Sequence, residues 1–358
     1  MVKTRYFYCI DLLRWFAAMG VLIHHYNVNF LNVSININMK NLMFFSYIND
    51  NAHIGAKGVW FFWCISGFVF ANILRNNKLT LYNFSLKRFS RLYPLHLLTL
   101  LLVALLEVFS IIKFGNYQLG SNIYDLYHFI LNLFFISDWG FQDGFSFNNV
   151  IWSVSIEIPV YFIFFFIMFF IKKNHLMYMF ILLICSMLLL HSNFYHYHFK
   201  ACFFFFILGS FLYFFCLNFQ KHTRIFIILS ILGIMSYPFL SMFENLEFFD
   251  KYKNFIPTTL VLFSSLIIFA FFIEDNFHKI GKNISFLGNA SYAIYLIHLP
   301  LQIILLILSN LGLFELKIFY SINIFLLFLL TVNIVGIFSY KYFENPARKI
   351  IFNYLNKK

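Results

Sequence analysis

Ten stretches of mostly apolar residues recur along the chain, at about 6–27, 54–75, 89–112, 151–171, 175–191, 199–217, 224–242, 256–273, 288–309 and 318–341. Each is close to the ~20 residues that carry an α-helix across a bilayer core. Short polar segments separate them, and no alternating period-two pattern competes. The pattern predicts an all-α, polytopic transmembrane bundle of about ten spans. One apolar stretch, 124–136, is too short to span and falls in the long loop 113–150, where an interfacial or re-entrant helix is expected. The first stretch is interrupted by Asp11 and Arg14 and shows no clear cleavage site before the histidines. It reads as a retained helix rather than a signal peptide.

Charge orients this bundle. Among the cations, Lys3 and Arg5 precede the first span, Arg75, Lys78, Lys87, Arg88 and Arg91 follow the second, and Lys172, Lys173, Lys221, Arg224, Lys279 and Lys282 fall in further even-numbered loops. Lys341, Arg348, Lys349, Lys357 and Lys358 follow the tenth span. Asp50, Asp125, Asp138, Asp143, Glu244, Glu247 and Asp250 lie on the other side. Positive residues concentrate on the cytoplasmic side, so both termini are expected there. The +12 net charge is thereby accounted for without nucleic acid. Only 11% of residues are charged and mean hydropathy is +0.78, far from the ~25% charge of soluble domains. Residues 1–350 read as one membrane domain, with 351–358 a short basic cytoplasmic tail.

Polar groups inside such spans are expensive and tend to mark function. Arg14 and His25 are eleven residues apart in the first span, on one helix face and about 16 Å apart in depth. His24 points about 100° away from His25. Trp152-Ser153-Val154-Ser155-Ile156-Glu157 opens the fourth span, so Glu157 is expected near the outer depth of His25. That pairing suits either a general base oriented by a carboxylate or a structural ion pair. Ser291, Tyr295 and His298 form an i, i+4, i+7 stripe, for interhelical hydrogen bonds or for lining a substrate path. Arg88 and Arg91 share a helix face and can clamp phosphate, or serve as a positive-inside anchor. Ser66-Gly67 in the second span permits close approach of a helix or a ligand. Walker, GxSxG and dinucleotide motifs are absent. The five cysteines show no ligand spacing, and His191, His196 and His198 fit no closed metal site, so no metal is expected.

In order along the chain, Asp11-x-x-Arg14 with Arg14-x10-His25, Phe61-Phe62-x3-Ser66-Gly67-Phe68, Arg88-x-x-Arg91-Leu92-Tyr93-Pro94, Trp152-Ser153-Val154-Ser155-x-Glu157, Ser291-Tyr292-x-x-Tyr295-Leu296-x-His298 and Tyr342-Phe343-Glu344-Asn345-Pro346-Ala347-Arg348-Lys349 resemble the motifs of the acyltransferase-3 family. Bulky Trp15 stands where that pattern commonly has a small residue. The resemblance implies a bacterial inner-membrane O-acyltransferase of the stand-alone type. It would move an acyl group, most often acetyl, from cytoplasmic acyl-CoA to a sugar hydroxyl of a surface polysaccharide such as lipopolysaccharide O-antigen. Its partners would be acyl-CoA, a lipid-linked or surface glycan, and membrane lipid. Acetyl-CoA would be a donor substrate, with no cofactor bound permanently. On that reading His25, Glu157 and Arg14 are catalytic, with His25 the general base or, in a competing scheme, an acylated nucleophile. Arg88, Arg91, Ser66 and Gly67 would bind acyl-CoA, and Asp11, Tyr295 and His298 would line the substrate path. A transporter of protons, anions or glycolipid is the alternative from a different class.

Overall fold

A computed structural model describes residues 5–31, 54–76, 79–120, 122–192, 196–242, 255–277 and 280–356. The loop charges at Lys3, Asp50, Lys78, Glu244, Glu247, Asp250, Lys279, Lys357 and Lys358 lie outside them. Among the described residues the chain is helical and contains no strand. Its helices are α1 (Tyr8–Tyr26), α2 (Ile54–Asn76), α3 (Leu81–Phe114), α4 (Leu126–Leu133), α5 (Trp152–Phe170), α6 (His175–His191), α7 (Tyr197–Asn218), α8 (Thr223–Met242), α9 (Phe255–Asn276), α10 (Ser285–Asn289), α11 (Ser291–Asn310), α12 (Ile322–Ser339) and α13 (Asn345–Asn356).

Among the described residues eight helical segments, built on α2, α3, α5, α7, α8, α9, α11 and α12, are long and apolar enough to cross a membrane. The other two expected spans are α6, which is apolar but only 17 residues long, and α1, which carries Asp11 and Arg14. Helix α3 starts eight residues earlier than its hydropathy suggests, because Thr80 caps it by accepting the Asn83 N–H at 3.3 Å. Lys87, Arg88 and Arg91 are therefore helical residues rather than loop residues. At its other end Gly115, in the left-handed region at φ 77°, closes the helix with an N–H bond to Ile111.

The stretch 124–136 contains an eight-residue helix, α4, about 12 Å long and too short to span. Asp125 caps it, accepting the backbone N–H of His128 at 2.7 Å and meeting its ring Nδ1 at 2.8 Å. Those bonds hold the Asp125 carboxyl below the ordinary carboxylate range. Helix α4 is tied to α3 by His96 Nε2 at 2.8 Å from the Asn132 carbonyl. Nearby, the buried Glu107 carboxylate accepts from the Gln118 and Leu119 amides and the Tyr124 hydroxyl at 2.8, 3.2 and 2.9 Å.

The chain divides into two compact units. The first comprises Met1–Phe16, Trp60–Lys78 and Val160–Gly288. Its core is aromatic, with Phe70 stacked on Tyr161 at 4.3 Å and Trp60 on Phe205 at 5.1 Å. The start of α1 is held there by Glu274 of α9, whose two carboxylate oxygens accept the Tyr8 and Cys9 N–H groups at 2.9 Å each. These are amides that a helix cannot satisfy internally. The second unit comprises Ala17–Val59, Leu79–Pro159 and Asn289–Lys358. In it α11 packs on α3 and α12, and α13 lies along α3.

Candidate functional site

Within the second unit, α11 is tied to its neighbours at successive levels. At its first turn the Tyr292 hydroxyl donates to the Leu92 carbonyl of α3 at 2.8 Å. One turn on, the Tyr295 hydroxyl donates to the Val150 carbonyl at 2.7 Å and meets Ser153 Oγ at 2.8 Å, while Asn148 Nδ2 donates to the Leu296 carbonyl at 3.1 Å. Tyr295 is thus engaged in holding α11 to the entry of α5. Glu157, buried one turn further into α5, is an electrostatic neighbour of Tyr295.

The next level is the centre of the site. The His298 ring lies 5.2 Å from the ring of His25 and is fully buried. It is near the carbonyls of Ile294 and Tyr295 on its own helix, yet neither ring nitrogen has a hydrogen-bond partner of normal geometry among the described residues. Buried polar atoms without partners are rare in native structures and call for an explanation, an unseen polar ligand among them. The electrostatic neighbours of His25 are His298 and His24, so the group packed on His25 is an imidazole from α11. His24 itself points onto α2, where a Cβ on Gly55 would lie 2.5 Å from the His24 ring.

His25 is also set deeper than expected. The helix does not end at Tyr26 but continues through a π-helical turn, Asn27–Leu31. Asn29 on that turn donates to Gln302 Oε1 at 2.7 Å, and the Phe30 and Phe319 rings stack at 4.0 Å. The partner of His25 is the eighth residue of α11, with twelve more, about 18 Å of helix, before Asn310. Hydropathy places a span end near Tyr26; the π turn carries the segment onward and leaves His25 inside the unit. Such wide turns are frequent at functional sites.

A second π-helical turn, Tyr340–Glu344, leads into α13. Here Lys87, Arg88, Ser90 and Arg91 of α3 and Arg348 and Lys349 of α13 line a cavity of about 340 Å³. Glu344, 1% exposed, is an electrostatic neighbour of Arg91 and Arg348. Arg348 is steadied by Asn345 at 3.1 Å. The Tyr82 hydroxyl donates to the Leu355 carbonyl at 2.7 Å and holds the far end of α13 to α3. Arg88 and Arg91 therefore share one pocket, as their spacing suggests. Sequence reasoning missed Arg348 and Lys349 as lining residues, although the closing motif that contains Arg348 was the available signal.

The remaining expected residues lie in the first unit. Asp11 is the ion-pair partner of Arg14, at 3.1 Å and with both side chains about nine-tenths buried. It neutralises the arginine rather than standing open to a ligand. Gly67 is filled by protein: a Cβ there would lie 2.7 Å from the Phe206 carbonyl carbon of α7. Reciprocally, one on Gly209 would lie 2.7 Å from the Cys64 carbonyl carbon. Ser210 Oγ donates to the Gly67 carbonyl at 3.0 Å, which completes a close helix crossing. The open side of Gly67 is thereby occupied by α7 backbone, and Ser66 is buried beside it.

The family model described as an acyltransferase domain matches residues 7–340. The chain belongs to the acyltransferase-3 family. No curated protein and no solved structure matches it.

Proposed function

We propose that this multi-pass membrane acyltransferase takes an acyl group, in the first instance acetyl, from acyl-CoA and places it on a sugar hydroxyl of a bacterial surface glycan such as O-antigen. The observation that carries this reading is the connection made by α11. Its first turn bonds α3 at Leu92, beside Arg91 of the basic pocket. Six residues on, about 9 Å along the helix, His298 meets His25. A polyanionic donor held by Arg88 and Arg91 would have its acyl end directed along α11 toward the imidazole pair of half-buried His25 and fully buried His298. The positive-inside distribution supports a cytoplasmic position for the basic pocket, the side on which acyl-CoA is made.

In this scheme a ring nitrogen of His25 takes the proton from the acceptor hydroxyl as its oxygen attacks the thioester carbonyl. The C–S bond then breaks, and the departing thiolate takes the proton back from the imidazolium. Positioned general bases contribute about 10²–10⁴-fold. His298 supplies ring nitrogens that hold the acceptor or an ordered water against His25. Glu157 of α5 and Tyr295 of α11 shape the approach, and the Asp11–Arg14 pair fixes the start of α1.

Purified protein in lipid nanodiscs, given labelled acetyl-CoA and a lipid-linked glycan, tests the reading by mass spectrometry of the glycan ester. The expected result is ester formation that His25→Ala abolishes. Arg88→Ala is expected to raise KM for acetyl-CoA and to leave KM for the acceptor unchanged. Acetyl-CoA-independent uptake of protons, anions or glycolipid into vesicles, with no ester formed, would replace this reading with transport.

A further inference from the structure

The cavity between α3 and α13 holds more positive charge than one pair of arginines explains. Lys87, Arg88 and Arg91 come from one wall and Arg348 and Lys349 from the other, and no carboxylate lines the space. Glu344, outside that lining, is an electrostatic neighbour of Arg91 and Arg348 and offsets at most one of the five charges. Five like charges around about 340 Å³ repel one another unless an anion of matching charge enters. Arg88 and Arg91, three residues apart on one helix face, suit two adjacent phosphates. Arg348 and Lys349 face them from a separate helix, so they serve an anionic group that is separate from that pair.

We propose that α13 is the second half of the donor site and that Arg348 and Lys349 bind a phosphate monoester carried on the donor's nucleotide. This rests on the acyl-CoA reading above and extends it to a wall of the pocket that the Arg-x-x-Arg segment does not contain. A monoester carries close to two negative charges at neutral pH, which matches two cations from one wall. Arg348 is oriented for this by its bond to Asn345, and Lys349, exposed at the rim, adds a point charge. The Tyr82–Leu355 bond keeps α13 alongside α3, so the two walls keep their separation without the ligand.

The probes are acetyl-CoA and acetyl-3′-dephospho-CoA, which differ only by the monoester, compared in steady-state transfer by the intact protein in nanodiscs. In the wild type, loss of the monoester is expected to raise KM by about tenfold, the size of one charge-assisted interaction. In Arg348→Gln/Lys349→Gln the two donors are expected to differ by less than about twofold, with KM for the dephospho donor close to wild type. Lys349→Gln alone, at an exposed position that the fold does not need, should retain part of the discrimination. An unchanged KM ratio in the double variant overturns the proposal, and so does a wild type that treats both donors alike while still transferring acetyl. Absence of transfer from either donor would instead defeat the acyl-CoA reading on which the proposal rests.

Discussion

Gly67→Ala separates a packing role from a ligand role for the second-span motif. The new Cβ would stand 2.7 Å from the Phe206 carbonyl carbon, where carbon atoms normally rest at about 3.5–4.0 Å. Helices α2 and α7 would have to part by more than about 1 Å, because the Phe206 carbonyl oxygen stands closer still. The obstacle is helix backbone, which cannot rotate away as a side chain can. Overpacking of this kind costs about 1–3 kcal/mol, and stretching the Ser210–Gly67 bond, now 3.0 Å, adds about 1 kcal/mol. A total of about 2–4 kcal/mol corresponds to a fall of about 3–5 °C in thermal midpoint for a chain of this size. The assay is fluorescence-detected size exclusion after heating in detergent. Gly120→Ala, where a Cβ meets nothing within 4 Å, serves as the control and should match wild type. Gly209→Ala should behave like Gly67→Ala, and the two together should cost less than their sum, since both spread one crossing. A Gly67→Ala protein with a wild-type midpoint and a raised KM for acyl-CoA would refute the argument and return Gly67 to the donor site.

Three further outcomes follow from the contacts. His298→Ala should lower kcat by about 10²-fold, the loss expected when a reacting group is left misplaced, and leave KM for acetyl-CoA unchanged; an effect on donor KM alone would move His298 out of the acceptor region. Tyr295→Phe, which removes a hydroxyl bonded to Val150 and Ser153, should cost about 1–3 kcal/mol of stability and barely change acceptor KM; lost activity with an unchanged thermal midpoint would make the hydroxyl a substrate ligand. Asp125→Ala should lower the thermal midpoint at pH 7 by removing the α4 cap, and because the folded carboxyl is held below its ordinary range, this difference should shrink as pH falls through that lowered folded value; a difference that widens toward acid would show that the carboxylate is not the stabilising form.

Much of the fold was legible in the sequence because a bilayer imposes one length and one composition on each span. The ten apolar stretches coincide with α1, α2, α3, α5, α6, α7, α8, α9, α11 and α12 to within a few residues at most ends. The start of α3 differs most, because a Thr80 cap rather than hydropathy sets it. Arg88 and Arg91 were legible as a pair because i, i+3 spacing needs only local geometry. Arg348 and Lys349 were not, because their approach to α3 depends on how α13 folds back after a π turn. The same reason hid the partner of His25. Depth along a span can be counted from sequence, but the π turn at Asn27–Leu31 adds helix beyond the apolar stretch and shifts what lies level with His25. Asp11 and Gly67 show the converse: motif membership suggested ligands, and it takes the structure to show the protein contacts that each also makes, an ion pair and a helix crossing.

The hold of Glu274 on the start of α1 has a consequence for biosynthesis. Arg at the centre of a helix opposes insertion into the bilayer by about 2.5–3.5 kcal/mol and charges nearer an end by less, so Arg14, with Asp11 in the first turn, makes α1 a weaker self-inserting segment than its neighbours despite the Asp11–Arg14 pair. The carboxylate that caps it lies 265 residues downstream of Cys9, and at ~5–20 residues per second it leaves the ribosome tens of seconds later. Helix α1 is therefore translated long before the groups that secure it exist. The segment that bears His25 reaches its final setting only when the later helices arrive, so an interrupted chain carries the histidine without the site.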